Sequence, residues 1–130
     1  MSGYFVFESR GRAAYEIDSK GGHWAFLLCD PDILEYYRWH LLKWGCKTVK
    51  CSGWGSNVTW VRNESPTILE PWGRDYGDIP FQYSNIIRGD NGRHAWIDVW
   101  CPYLHELRAS LGLPPKAKES FHLTLGELYI

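Results

Sequence analysis

Apolar residues recur at helical spacing in two stretches of the chain. The first stretch starts at Asp30-Pro31 and ends before Gly45, and the second runs from Pro102 to Gly112. Asp is a good N-cap residue, proline is tolerated at the first helical position, and glycine commonly ends a helix. The pattern therefore predicts one helix in each half of the chain.

Short apolar or alternating runs flank both helices and predict β-strands. Pro80 lacks a backbone N–H, so its run is expected at the edge of a sheet. Residues 89–92 are typical of a hairpin turn, and the turn-rich stretch 65–77 is expected to connect two halves. The predicted strands cover residues 24–28, 47–51, 58–62, 79–83, 85–88, 95–100 and 121–125.

The two halves share one order of strand, helix, glycine, loop and strand. Gly45 precedes Asn57 by twelve positions, and Gly112 precedes His122 by ten. This order predicts a duplicated α+β fold in a single domain, residues 1–130. Its two halves, roughly 15–65 and 77–130, are expected to hold antiparallel-rich sheets. The duplication aligns the run Asn57-Val-Thr59 with the run His122-Leu-Thr124.

Composition narrows the class of ligand. The formal net charge of −1 gives no general basic field, so a long nucleic acid is not expected, whereas a small nucleotide remains possible. Eight Trp and eight Tyr residues supply core material and also surfaces on which bases can stack. No apolar run reaches membrane-spanning length, so no membrane partner is expected.

The cysteines and the amino-terminus predict a cytoplasmic protein with reduced thiols. The start of the chain lacks the basic and apolar regions of a signal peptide, and the four cysteines contain no Cys-x-x-Cys pair. The spacing of Cys46 and Cys51 suits a zinc site poorly. No metal and no other cofactor is expected.

His122 and Thr124 are the strongest candidates for chemistry. Side chains two apart in a strand point to the same face, so this imidazole and this hydroxyl project together. A histidine exchanges a proton near neutral pH, and a threonine hydroxyl donates a hydrogen bond to a phosphate oxygen. A duplicated fold is expected to bring Asn57 and Thr59 alongside them. Arg62 is expected on the opposite face of its strand from Thr59, unless a bulge intervenes.

These patterns resemble the two-histidine phosphoesterase superfamily, most closely the phage anti-CBASS phosphodiesterases. His-x-Thr on a strand ending in glycine, with a matching strand in the first half, is similar to that superfamily. The resemblance implies two pseudo-symmetric lobes around a central cleft, which would correspond to the two halves of the chain. The narrower likeness spans roughly positions 23 to 126. It is carried by Tyr36-Tyr-Arg-Trp39, Val58-Thr-Trp-Val-Arg-Asn-Glu64, Trp96-Ile-Asp-Val-Trp-Cys101, Leu107-Arg-Ala-Ser-Leu-Gly-Leu113 and His122-Leu-Thr-Leu-Gly126.

The resemblance implies metal-independent hydrolysis of cyclic di- or trinucleotides, which would block antiviral signalling in the cytoplasm of an infected bacterium. One histidine would activate the nucleophile, the other would protonate the leaving oxygen, and Thr59 and Thr124 would hold the phosphate. Tyr4 and Trp72 are candidates for contact with the substrate. The family pattern expects histidine at the position of Asn57, and an amide cannot exchange a proton at neutral pH. Catalysis by this chain is therefore expected to be impaired.

Several alternatives stay open at this stage. Asn57 is either a substitution of a catalytic histidine or the natural residue of a homologue with lowered activity. The chain is then an impaired enzyme or a sponge that binds cyclic nucleotides without cleaving them. A phosphoesterase acting on RNA 2′,3′-cyclic phosphate ends would share the His-x-Thr strands. In an interaction module without catalysis, His122 would be incidental.

Overall fold

The computed structural model describes residues 6–43, 48–50, 55–90 and 94–129. These residues form mainly strands, and a helix interrupts the succession of strands at two places. The elements are β1 (Val6–Ile17), β2 (His23–Leu28), α1 (Pro31–Lys43), β3 (Thr48–Lys50), β4 (Asn57–Glu64), β5 (Ile79–Ser84), β6 (Arg88–Asp90), β7 (His94–Trp100), α2 (Pro102–Ser110) and β8 (His122–Tyr129).

Six of the strands close into an antiparallel β-barrel. The hydrogen-bonded order is β8-β4-β2-β1-β5-β7, and β7 pairs with β8 to complete the ring. Strand β3 continues the sheet from β8, and β6 continues it from β7. The closure depends on β8, which pairs with β4 through Val58 and Leu123 and with β7 through a longer ladder.

The predicted α+β fold of two lobes around a cleft, 15–65 and 77–130, is wrong, because the chain forms one closed and mostly β barrel. The twelve-residue strand β1 explains the difference. It pairs with β2 from the first half along one side and with β5 from the second half along the other. A strand shared in this way joins the two halves into a single sheet, and the β7–β8 ladder closes that sheet.

The local predictions for helices and for most strands are confirmed. Helix α1 and helix α2 occupy the two predicted stretches, and Gly112, with a φ of 75°, follows α2 in the left-handed region that glycine favours. The predicted edge position of Pro80 is wrong, since β5 lies between β1 and β7. Pro80 is tolerated there because the β5–β7 ladder contains only Gln82 and Tyr83 of β5. No helix within the described ranges is long and apolar enough to cross a membrane.

One continuous hydrophobic core fills the fold. Alternate residues of the strands point into it, and the apolar stripes of α1 and α2 pack against the same cluster. Burial of each large aliphatic side chain contributes about 1.5–3 kcal/mol. Fully buried strand residues include Ala25, Leu27, Val58, Val61, Ile79, Ile97, Leu123 and Leu125.

A buried ion pair ties α2 to β4. Arg108 is 1% exposed and donates hydrogen bonds to both carboxylate oxygens of Glu64, at 2.6 and 2.9 Å. It also donates to the main-chain carbonyls of Trp60 and Pro114. These bonds hold the pKa of Glu64 below its ordinary range. Four of the five N–H groups of the guanidinium thus donate to protein acceptors in place of water.

Replacing Glu64 by Gln is expected to lower the free energy of unfolding at pH 7 by about 2–3 kcal/mol. This is less than the 3–5 kcal/mol typical of a fully buried pair, because Glu64 is partly exposed. Since folding lowers the pKa of Glu64, its contribution is present above about pH 4.3 and lost as the pH falls further. Urea unfolding at pH 7 and pH 3 checks both points. The exposed Arg12–Asp78 pair provides the control, and Asp78→Asn should cost under about 1 kcal/mol. An equal loss for Glu64→Gln at both pH values would contradict the assignment.

Candidate functional site

His122 and Thr124 share one face of β8, opposite the buried Leu123 and Leu125. Gly126 has a φ of 135° and lies where the β7–β8 register shifts between Ala95 and Trp96. A side chain is disfavoured at that φ, so the bulge accounts for the glycine of the His-x-Thr-x-Gly run. The two functional side chains are therefore presented on the face away from the core.

The imidazole of His122 is held in a defined orientation. Its Nδ1 lies 2.9 Å from the carbonyl oxygen of Ser120. A carbonyl only accepts hydrogen bonds, so Nδ1 carries the proton and donates it. In the neutral ring, Nε2 then bears the lone pair. The ring also lies edge-on to Trp96, with centroids 6.2 Å apart. His122 is therefore oriented to accept or deliver a proton at Nε2.

Strand β4 brings the Asn-x-Thr run beside the His-x-Thr run. Val58 pairs with Leu123 in antiparallel register, which sets Thr59 across from His122 and Asn57 across from Thr124. Thr59 and His122 also line one cavity of about 190 Å³. Diagonal neighbours on one face of such a pair have Cβ atoms about 7 Å apart. Positions 57 and 122 are therefore diagonal neighbours on one face of the β4–β8 pair, although Asn57 is not among the residues that line the two His122 cavities.

Asn57 and His122 make the same local hydrogen bond. The side-chain Nδ2 of Asn57 donates to the carbonyl of Gly55 at 2.9 Å, two residues earlier in the chain. Nδ1 of His122 donates to Ser120, also two residues earlier and also at 2.9 Å. Asn57 is only 9% exposed, so the bond fixes its amide. The two runs thus agree in residue spacing, in pairing and in the way their first side chain is held.

Arg62 lies on the same side of the sheet as His122, because a bulge intervenes in β4. Phe26 pairs with Thr59 and Ala25 pairs with Val61, so Trp60 is the extra residue. The bulge turns both Trp60 and Val61 into the core and returns Arg62 to the face of Thr59. Simple alternation along the strand had predicted the opposite face for Arg62. Its Nε lies 3.6 Å from a carboxylate oxygen of Glu119.

A larger cavity, of about 730 Å³, lies over β7 and β8. Asp98 sits directly across from His122 in the β7–β8 ladder and accepts a 2.9 Å hydrogen bond from Arg88 of β6. The volume lies within the range of small-molecule sites in proteins. We call this surface the His122 face. It is lined by Arg62, Arg88, His94, Trp96, Asp98, Glu119, Ser120, His122 and Thr124.

The charges of the His122 face are nearly balanced. Arg62 and Arg88 are countered by Glu119 and Asp98 at 3.6 and 2.9 Å. Each pair engages one guanidinium nitrogen, and a guanidinium has five N–H donors. Both arginines are about half exposed, so their remaining donors are accessible to an anionic ligand. The face is suited to a small anion rather than to a long polyanion.

Sequence reasoning missed several of these residues. His94 is not among the residues that the sequence singled out, although it lines the His122 cavity. The alternation of His94, Trp96 and Asp98 along β7 was a usable signal, because these three share a face that meets β8. Arg88 lies across from Trp96 in the β6–β7 ladder. It could be assigned only once that pairing was known.

The two aromatic candidates for substrate contact do not join the His122 face. Tyr4 lies outside the described residues. Trp72 packs edge-on against Tyr15 and His23, with centroids 4.9 and 4.7 Å apart, and is not among the residues that line the His122 cavities. Trp96, by contrast, contacts the ring of His122 and lines the larger cavity.

Two of the four cysteines lie among the described residues, and both are largely protonated at neutral pH. Burial raises the pKa of Cys29 to about 12 and also raises that of Cys101, which disfavours the reactive thiolate of both. Cys46 and Cys51 lie outside the described residues. Within the described ranges, no group of three or more His, Cys, Asp or Glu side chains is arranged to hold a metal ion.

Comparison with known proteins identifies no relative of this chain. No match is found among protein-family models, curated proteins or solved structures. The likeness to the anti-CBASS phosphodiesterases therefore rests on the sequence runs alone, and the chemistry rests on the residues of the His122 face.

Proposed function

We propose that this chain is a metal-independent phosphodiesterase that acts on cyclic di- or trinucleotides and whose catalytic centre is the His122 face. The observation that carries the proposal is the matched pair of Asn57 and His122. Asn57 begins the run Asn57-Val-Thr59 on β4, and His122 begins the run His122-Leu-Thr124 on the paired strand β8. In each case the side chain donates a hydrogen bond to the main-chain carbonyl two residues earlier. Two such positions on one face suit the two proton transfers of phosphodiester cleavage.

In the proposed reaction, a ribose hydroxyl or a water attacks phosphorus and the P–O5′ bond breaks. The nucleophile gives its proton to one base, and the departing O5′ takes a proton from the acid on the other side. Nε2 of His122 performs one of these transfers. Thr59, Thr124 and the unpaired donors of Arg62 hold the non-bridging oxygens where negative charge develops. The complete scheme needs no metal when imidazoles move both protons, and this chain supplies one of the two, at His122, with an amide at position 57.

The size and lining of the cavity support the proposed substrate class. A volume of about 730 Å³ accommodates a ligand of dinucleotide size, and the face offers Trp96 for stacking with a base. The proposed role is degradation of the messengers of CBASS antiviral signalling. Those messengers are made in the cytoplasm of the infected cell, so the proposal puts the protein there.

Asn57 favours a second candidate function, a sponge that binds cyclic nucleotides without turnover. Its amide makes the hydrogen bond expected of an imidazole but cannot carry a proton between the substrate and water. Loss of one general acid or base typically reduces the rate by about two to four orders of magnitude. The chain as it stands is then expected to bind nucleotide well and cleave it slowly.

Binding of cyclic di-AMP and cyclic GMP–AMP in EDTA tests the proposal, with intrinsic Trp fluorescence as the readout. We expect both to bind, and Arg62→Gln to weaken binding by about tenfold through loss of a charge-assisted contact. Arg12 on β1 is the matched control, since it is an exposed arginine that lies beside two carboxylates, Asp75 and Asp78. Arg12→Gln should leave binding unchanged. Absence of binding, or an equal effect of both variants, would overturn the proposal.

A further inference from the structure

A second cavity, of about 410 Å³, adjoins the His122 face. The two cavities share Arg88, Asp98, Glu119 and Ser120. The Arg88–Asp98 ion pair therefore lies between two connected spaces rather than at the end of one. Together they make a groove long enough for a ligand that continues past the His122 phosphate site.

His105 of α2 lines the second cavity and is held much as His122 is. Its Nδ1 lies 2.7 Å from the carbonyl oxygen of Pro115 and donates to it, which leaves Nε2 as the lone-pair nitrogen of the neutral ring. The ring stacks on Phe121, with centroids 4.8 Å apart and planes at 26°. Two contacts thus fix this imidazole at the border of the cavity, and neither of them engages Nε2.

The far side of the second cavity carries positive charge and an aromatic surface. Lys116 is exposed beside His105, and both line the cavity together with Trp100. Trp96 and Trp100 lie on the same face of β7, four residues apart, which corresponds to roughly 13 Å along a strand. Each cavity therefore offers an oriented imidazole, a cationic side chain and a tryptophan. Arg88 lies between the two sets.

We infer that the second cavity is a second nucleotide subsite, built from His105, Lys116 and Trp100. The ligand is then a dinucleotide unit with two phosphates, one at His122 and one at His105 and Lys116. Each base has its own tryptophan, and Arg88 is within reach of both phosphates. This inference rests on the proposed function, because it takes the His122 face as the first phosphate site.

The test compares a mononucleotide with a dinucleotide. The probes are AMP and the linear dinucleotide pApA, titrated against the full chain in EDTA. We expect pApA to bind at least tenfold more tightly than AMP. The double variant His105→Gln, Lys116→Gln should remove that advantage while leaving AMP affinity unchanged, since one charge-assisted contact is worth about tenfold or more. Lys20→Gln, in the exposed β1–β2 turn, is the matched control.

The outcomes separate the subsite from the function on which it rests. If AMP binds in a manner sensitive to Arg62→Gln, but pApA binds no more tightly, the subsite is refuted and the His122 site stands. Equal weakening of AMP and pApA by the double variant also refutes the subsite. If neither probe binds, the subsite is refuted, and the titration with cyclic di-AMP decides whether the His122 site stands. Near-ultraviolet circular dichroism of each variant, with eight tryptophans as reporters, shows whether the fold is retained.

Discussion

Replacing Asn57 by His is expected to raise the rate of cyclic dinucleotide cleavage by about two to four orders of magnitude, without added metal. The gain comes from a second imidazole on the face that already carries His122. Product formation in EDTA, followed by separation of linear from cyclic nucleotide, measures it. The pH dependence of kcat should become bell-shaped, with one limb from each histidine.

The geometry around residue 57 already suits an imidazole. Nδ1–H of a histidine there replaces Nδ2–H of Asn57 as the donor to the Gly55 carbonyl, as His122 does toward Ser120. Nε2 is then left for the substrate. The site is tight, since Asn57 is 9% exposed, and a larger ring costs about 1–3 kcal/mol of stability where it overpacks. A modest fall in Tm is therefore expected beside the gain in rate.

Asn57→Gln is the matched control for this experiment. It keeps an amide at the position and adds bulk but gives no group that exchanges protons at neutral pH. Its cleavage rate should equal that of the unchanged chain. If Asn57→His folds, binds nucleotide and still shows no faster cleavage than Asn57→Gln, position 57 has no part in catalysis. The sponge is then the better description.

The sequence predicted the local elements better than it predicted their assembly. Helices α1 and α2 follow from apolar spacing and from Pro and Gly at their ends, which act within a few residues. Barrel closure depends on which strands pair, and β1 was not recognised because residues 6–17 mix Glu, Arg and Gly into the run. Pairing of β1 with β2 and β5 is a long-range choice that the periodicity of the chain does not encode.

The candidate site was predictable where it depends on strand parity and unpredictable where parity fails. His122 and Thr124 share a face as alternation requires, and the pairing of β4 with β8 adds Thr59 to them. Alternation places Arg62 on the face opposite Thr59 unless a bulge intervenes, and a bulge does intervene, because one extra residue, Trp60, shifts the register of β4 against β2. Loop 114–120 also orients two imidazoles, since the carbonyls of Pro115 and Ser120 accept hydrogen bonds from His105 and His122. Every residue has a main-chain carbonyl, so the sequence does not indicate which carbonyls act as these acceptors.

In the Asn57→His protein, replacing His122 by Asn is expected to lower the cleavage rate by about two to four orders of magnitude. Asn57 itself shows why asparagine is the informative replacement. Nδ2 of Asn57 donates to the carbonyl two residues earlier, and Nδ1 of His122 makes the equivalent bond. His122→Asn therefore removes the group that exchanges protons but keeps the local hydrogen bond. The pH profile of kcat should lose one limb, while the dissociation constant changes less than about threefold.

His122→Ala distinguishes this catalytic role from a structural one. Alanine also removes the bond to Ser120 and the contact with Trp96, so it should lower Tm as well as the rate. His122→Asn should retain most of the Tm, because its amide keeps the donor that holds the end of loop 114–120 in place. If His122→Asn keeps the full rate, another group on this face moves the proton. His94 is then the first to test, since it is the other histidine that lines the larger cavity.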